Sequence, residues 1–192
     1  MNATKDGRYF YLNIYYLFPS YILAFYSGFL YKLVQNSLPQ EKEEAIEGYN
    51  LRLKFNEGLV LLSLGVGSAI TGFWMKMFSE RFNAFKLPVI CILIVETALF
   101  VSFCCYFTQS LALCFVSAFL WGVSYIFSVS NVGGLTSKIF PEKVEAYSVN
   151  RLIFNFGTFF FLLINILMSY SSQSLFLGLL VIIQILMTGA AH

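Results

Sequence analysis

The side chains able to do chemistry are few, and each lies in apolar surroundings. Glu96 stands near the middle of an apolar run from Leu87 to Phe107, with no charged neighbour in sequence. A carboxyl at membrane depth is costly unless it is paired or wetted, so such a residue is a functional candidate by default. Two readings are open: a proton-coupling or substrate-binding carboxylate, or a glutamic acid kept neutral by burial and hydrogen-bonded to a helix-borne Ser or Asn. Asn131 and Asn155 belong to consecutive apolar runs, where they either line a common cavity or bridge helices; Asn165 and Gln184 are further amides of this kind. Tyr11, Tyr15 and Tyr26 share a face at helical spacing, as hydroxyls lining a pore or as an aromatic packing stripe. Glu57 and Arg151 sit at the ends of runs, where charge serves as an interfacial anchor or belongs to a site.

Other chemistry is excluded by residue type. The only histidine is His192, and Cys91, Cys104, Cys105 and Cys114 lie inside apolar runs without the spacing of a zinc site or disulfide framework. They read as buried small hydrophobes. No metal site and no cofactor are expected. With no phosphate loop, metal motif or nucleophile elbow, neither is an enzyme.

The elements that must position these residues are membrane helices. The 192 residues are 58% hydrophobic and 11% charged, against about a quarter charged in soluble domains. A net charge of +2, carried by dispersed residues, excludes nucleic acid as a partner. Six apolar runs are expected as transmembrane helices, over residues 9–34, 58–78, 87–107, 111–135, 152–170 and 175–191, since crossing takes roughly 20 residues. Together they make residues 1–192 a single all-α transmembrane domain. Pro19 is expected to kink or divide the first run. The polar stretch 36–56 reads as a solvated extracytoplasmic loop, with room for an interfacial helix. Only Thr108, Gln109 and Ser110 separate the third run from the fourth, which forces a tight helical hairpin.

Positively charged loops stay cytoplasmic. Lys5, Arg8, Lys76, Arg81, Lys86, Lys138, Lys143 and Arg151 collect on one side, against Lys32, Lys42, Arg52 and Lys54 on the other. Both termini are therefore expected in the cytoplasm, in a membrane the sequence does not specify, and the Asn2-Ala3-Thr4 glycosylation triplet would stay unmodified. Helices in lipid approach most closely at small residues. That nominates Gly58, Gly65 and Gly72 at heptad spacing, with the pairs Gly65/Ala69 and Ser68/Gly72, and Gly122, Gly133 and Gly134 on the fourth helix.

The stretch Gly72-Phe73-Trp74-Met75-Lys76-Met77-Phe78-Ser79-Glu80-Arg81-Phe82-Asn83 resembles the signature of the major facilitator superfamily: a helix glycine, then Ser-acid-Arg-x-Gly in a cytoplasmic loop. The resemblance implies that Glu80 and Arg81 clamp neighbouring helix ends. Lys76 stands where the family has a second glycine and Asn83 where it has the turn glycine, a substitution the left-handed region tolerates. Trp121-Gly122-Val123-Ser124-Tyr125, Ser130-Asn131-Val132-Gly133-Gly134-Leu135, Ile139-Phe140-Pro141-Glu142, Glu145-Ala146-Tyr147 and Arg151-Leu152-Ile153-Phe154 resemble the C-terminal half in the Unc-ninety-three-like branch. Tyr125 occupies a position often acidic there.

The resemblance implies a six-transmembrane-helix half of a major-facilitator-type bundle, with the substrate site between two halves. The expected partners are the lipid bilayer, an N-terminal six-helix half or a second copy, and another membrane protein; the chain reads as a fragment of a twelve-helix protein. Two functions fit: a membrane regulator of channels or receptor trafficking, the role of characterised members of the branch, or a secondary transporter using Glu96, Asn131 and Asn155. The Tyr125 substitution leans toward the regulator.

Overall fold

A computed structural model describes residues 7–38, 46–82, 87–140 and 144–169, with side chains from Tyr16 onward in the first segment. Within them lie five helices: α1 (Gly7–Ser37), α2 (Ile46–Arg81), α3 (Leu87–Thr108), α4 (Leu111–Ile139) and α5 (Val144–Ser169). No strand occurs among the described residues. The expected sixth helix, 175–191, lies outside them, as do Gln184, the Asn2 triplet and the side chains of Tyr11, Tyr15 and Asn165.

Each helix contains an apolar span of at least 21 residues, long enough to cross a bilayer. Three boundaries differ from expectation. α2 begins at Ile46, so much of the stretch expected as a polar loop is helix, continuous with the apolar part. At 36 residues it is about 54 Å long, well beyond the hydrocarbon thickness of about 30 Å, and its polar first turns extend past that layer. Glu57 is therefore inside a helix and not at its start. α5 likewise begins at Val144, placing Arg151 two turns in. α4 runs through Gly133 and Gly134 to Ile139, where the Phe140 N–H closes the last turn on the Thr136 carbonyl. α1 continues through Pro19 as one helix, with Pro19 itself buried.

α1 and α4 form the centre. α2 and α3 pack mainly on α4, and α5 mainly on α1. α1 is accordingly buried nearly all round, through Phe18, Tyr21, Ile22, Phe25, Phe29, Leu33 and Val34. α2 instead keeps Leu59, Leu62, Val66, Ile70 and Phe73 exposed at helical spacing, a stripe that suits lipid. The hairpin between α3 and α4 turns in two residues, with Gln109 in the left-handed region (φ 51°) and its N–H on the Cys105 carbonyl at 2.9 Å. This is the tight turn that the short break implies.

Small residues do set the closest approaches, but mostly not those the heptad spacing nominates. A methyl group on Gly67 would run into the Phe119 carbonyl, and one on Gly122 into the Leu64 carbonyl, whereas Gly58, Gly65, Gly133 and Gly134 face open space. Gly72 has a single distant contact, 4.0 Å from Ile126. The α2 seam carries Val60, Gly67, Thr71 and Met75, flanked by two hydroxyls that donate across the interface: Ser63 to the Phe115 carbonyl (2.9 Å) and Ser68 to the Gly122 carbonyl (3.2 Å). α5 docks similarly. A methyl on Gly157 would meet Leu17 at 2.7 Å, and Ser20 donates to the Phe154 carbonyl at 2.9 Å.

Candidate functional site

The two ends of the bundle differ chemically. One gathers the end of α2, the start of α3 and the end of α4, with Lys76, Arg81 and Lys138; the other gathers the end of α1, the start of α2 and the α3–α4 turn. At the first end a cleft of about 480 Å³ opens between α2, α3 and α4, and its polar lining is Lys76, Ser79, Ser130, Asn131 and Lys138. Asn131 is nearly fully buried at 2% exposure, while both lysines are exposed. Ser79 donates to the Lys76 carbonyl at 2.8 Å. Two ammonium groups, two hydroxyls and an amide, with no carboxylate among the described lining residues, make a site suited to an anionic group. Among the described lining residues the chemistry on offer is binding through charge and hydrogen bonds.

Asn131 continues a polar seam along the buried face of α4, which includes Ser117, Ser124 and Ser128. Ser124 satisfies itself on the Leu120 carbonyl at 2.7 Å. Deeper, Ser102 of α3 joins the seam: the Trp121 Nε1–H donates to its Oγ at 2.9 Å, and the Ser117 hydroxyl lies 2.6 Å away. Ser102 sends its own proton to the Ala98 carbonyl at 2.8 Å. A hydroxyl has one donor and two acceptor sites, so Ser102 accepts from both Trp121 and Ser117 and is saturated.

The other candidates are not brought to this cleft. Glu96 is exposed on the outer face of α3, on the side that also exposes Leu93 and Phe100, and is not buried as a neutral acid would be. Asn155 is exposed on α5 with Leu152, Phe156 and Phe159, so among the described residues it is turned away from the cleft that Asn131 lines. The common cavity fails because α5 packs on α1 and hardly touches α4. Glu80 and Arg81 are exposed at the end of α2, and neither makes an ion pair among the described residues. Tyr26 packs edge-on against Tyr125, ring centroids 5.9 Å apart, a packing contact between α1 and α4. Arg151 and Asn150 border a second, smaller cleft of about 80 Å³ beside Pro19, Tyr125 and Phe154.

Two groupings escaped the sequence reading. One is the Ser102–Ser117–Trp121 cluster. The other is a thiol pair: the Cys105 and Cys114 sulfurs lie 2.7 Å apart, with the Ser37 hydroxyl 3.2 Å from Cys114. The spacing conceals this pair because the hairpin, and not a sequence motif, brings the two together. Both are legible once the turn is taken as a mirror. Cys105 and Cys114 stand four residues before Gln109 and four after Ser110; Ser102 and Ser117 stand seven before and seven after. Offsets of four and seven keep to one face of each helix.

Five apolar helices packed in this way define a multi-pass integral membrane protein. Comparison of the chain with protein-family models, with curated proteins and with solved structures found no match.

Proposed function

We propose that the chain is one six-helix half of a major-facilitator-type protein of the Unc-ninety-three-like branch, with both termini cytoplasmic, and that it acts as a membrane regulator by lateral association with another membrane protein. The observation that carries this reading is the placement of Glu96 and Asn155. Each lies near the middle of its apolar span and on the outward face of its helix. Polar groups at that depth are costly in lipid and are used in membranes to hold helices together. An outward carboxyl and amide therefore suit a polar partner helix better than hydrocarbon.

The competing reading is a secondary transporter of a small solute. It is favoured by the cleft, since Asn131 beneath Lys76 and Lys138 is a polar pocket open at one end of the bundle. The experiment that separates the two places a photo-crosslinking residue at Phe100 and, separately, at Phe156, in cell membranes. The regulator reading expects adducts with one defined membrane protein in near-stoichiometric yield, and Glu96→Leu should weaken that association roughly fivefold, the equivalent of about 1 kcal/mol for an interhelical hydrogen bond. Lipid adducts alone, together with solute uptake in proteoliposomes that Asn131→Leu abolishes, would replace the regulator with the transporter.

A further inference from the structure

We propose that Cys105 and Cys114 form a disulfide that staples the α3–α4 hairpin at its turn. The two sulfurs are 2.7 Å apart, within about 0.7 Å of the length of a disulfide bond, about 2.0 Å. Each cysteine sits one turn from the end of its helix, at mirror positions about the Gln109–Ser110 turn. That turn is held independently of the sulfurs by the Gln109 N–H on the Cys105 carbonyl and the Cys114 N–H on the Ser110 carbonyl. The backbone geometry that faces the two sulfurs is thus built by the hairpin, and the cysteines inherit it.

Compartment decides whether such a pair is oxidised. The turn lies at the end of the bundle opposite Lys76, Arg81 and Lys138, and it is the side with the greater number of basic residues that stays cytoplasmic, the turn end having Lys32, Lys42, Arg52 and Lys54 against eight on the other. On the orientation proposed above, with both termini cytoplasmic, the hairpin end lies on the opposite side of the membrane, and in a membrane of the secretory pathway that side is oxidising, where disulfides form and persist. The chemistry is two exchange steps with a thiol oxidoreductase in its disulfide form. One cysteine, as its thiolate, attacks that disulfide, giving a mixed disulfide and releasing one oxidoreductase thiol. The second cysteine thiolate then attacks the mixed disulfide at the sulfur of the first, forming the Cys105–Cys114 bond and expelling the second oxidoreductase thiol. Two thiols of the chain are oxidised, one disulfide of the oxidoreductase is reduced, and the two protons pass to the released thiolates.

Both cysteines are fully buried in the folded bundle, beneath Ser37 of α1. Exchange consequently belongs to the assembly of the bundle, while the hairpin is still open at its turn. Once formed, the bond is shielded from reductants by the same burial. Cys91 and Cys104 are outside this geometry and remain thiols.

The test is mass spectrometry of the full chain taken from cell membranes, denatured in acid with excess maleimide to trap free thiols, and digested without reductant. The expected result is a peptide cross-linked between Cys105 and Cys114 in most molecules, with Cys91 and Cys104 alkylated. Recovery of Cys105 and Cys114 as alkylated thiols, or linked to other cysteines, would overturn the proposal. In a second measurement, a phosphine reductant added during thermal unfolding should lower the midpoint of the wild-type chain by roughly 5–10 °C, the size expected for a short closed loop. The same reductant should leave Cys105→Ser/Cys114→Ser unmoved; an equal response of the two proteins would count against the bond.

Discussion

Replacing Gly122 with leucine is expected to force α2 away from α4 and to lower the melting temperature of the detergent-solubilised chain by roughly 2–12 °C. The reason is that no flexible group can make room. The first added carbon meets the Leu64 carbonyl, with the Ser68 backbone nitrogen 3.0 Å away, so two helix backbones must separate. Separation also loosens the Ser68 and Ser63 hydroxyls from the carbonyls they serve on α4. Overpacking of this kind costs about 1–3 kcal/mol, and each kcal/mol moves the midpoint by about 2–4 °C in a chain of this size. Gly67→Leu should behave alike, since it strikes the Phe119 carbonyl. Gly65→Ala and Gly133→Ala meet nothing within 4 Å and should be neutral or slightly stabilising, because alanine favours a helix over glycine by up to about 1 kcal/mol. Thermal unfolding of the four variants side by side checks this ordering. Equal losses at Gly122 and Gly65 would mean that α2 packs through its heptad glycines instead.

The second large effect is expected at Trp121, where alanine should cost about 3–5 kcal/mol. The indole is fully buried, stacks on Phe25 of α1 with centroids 4.3 Å apart, and donates its N–H to Ser102 of α3. It is thus the one side chain in this cluster that ties α1, α3 and α4 together. The neighbouring hydroxyls should follow in a fixed order. Ser102→Ala strands both the Trp121 N–H and the Ser117 O–H away from water, and a buried unsatisfied donor costs about 1–3 kcal/mol. Ser117→Ala removes a donor from an oxygen that still accepts from Trp121, so it should cost least. Midpoints measured for Trp121→Ala, Ser102→Ala and Ser117→Ala should fall in that order. A loss for Ser117→Ala as large as that for Ser102→Ala would show that the proton assignment at Ser102 is reversed.

What the sequence revealed follows from how locally each feature is determined. Apolar runs are local, so the five spans and the tight hairpin at 108–110 were legible; so was the role of Gly122. The polar stretch before Gly58 was not, because Glu47, Arg52 and Lys54 look like a loop until α2 is seen to extend as one helix beyond the apolar layer. The packing glycines were misread for a related reason. Gly58, Gly65 and Gly72 share a spacing, but which face of α2 meets α4 is decided by the partner, and α4 meets the face bearing Gly67. A useful signal was present: Val60, Gly67, Thr71 and Met75 share a seam that has small residues where the backbones come closest. The candidate site divided in the same way. Asn131 proved to be a buried residue at a polar cleft, while Glu96 and Asn155, polar residues near the middle of their spans, lie on outward faces because their helices pack on different partners. Depth can be read from a run of residues; orientation about the helix axis requires the neighbours.

The most direct measurement is sidedness, since a multi-pass bundle requires the two ends of α2 to lie on opposite sides of the membrane. Asn50→Cys, Ser79→Cys and Ser137→Cys place single reporters at exposed positions near the start of α2, the end of α2 and the end of α4. Sealed vesicles of one orientation are treated with a membrane-impermeant maleimide before and after permeabilisation, with the wild-type chain as the baseline. Ser79→Cys and Ser137→Cys should label together from one side and Asn50→Cys only from the other. Labelling of all three from the same side would contradict a membrane-spanning α2 and, with it, the bundle described above.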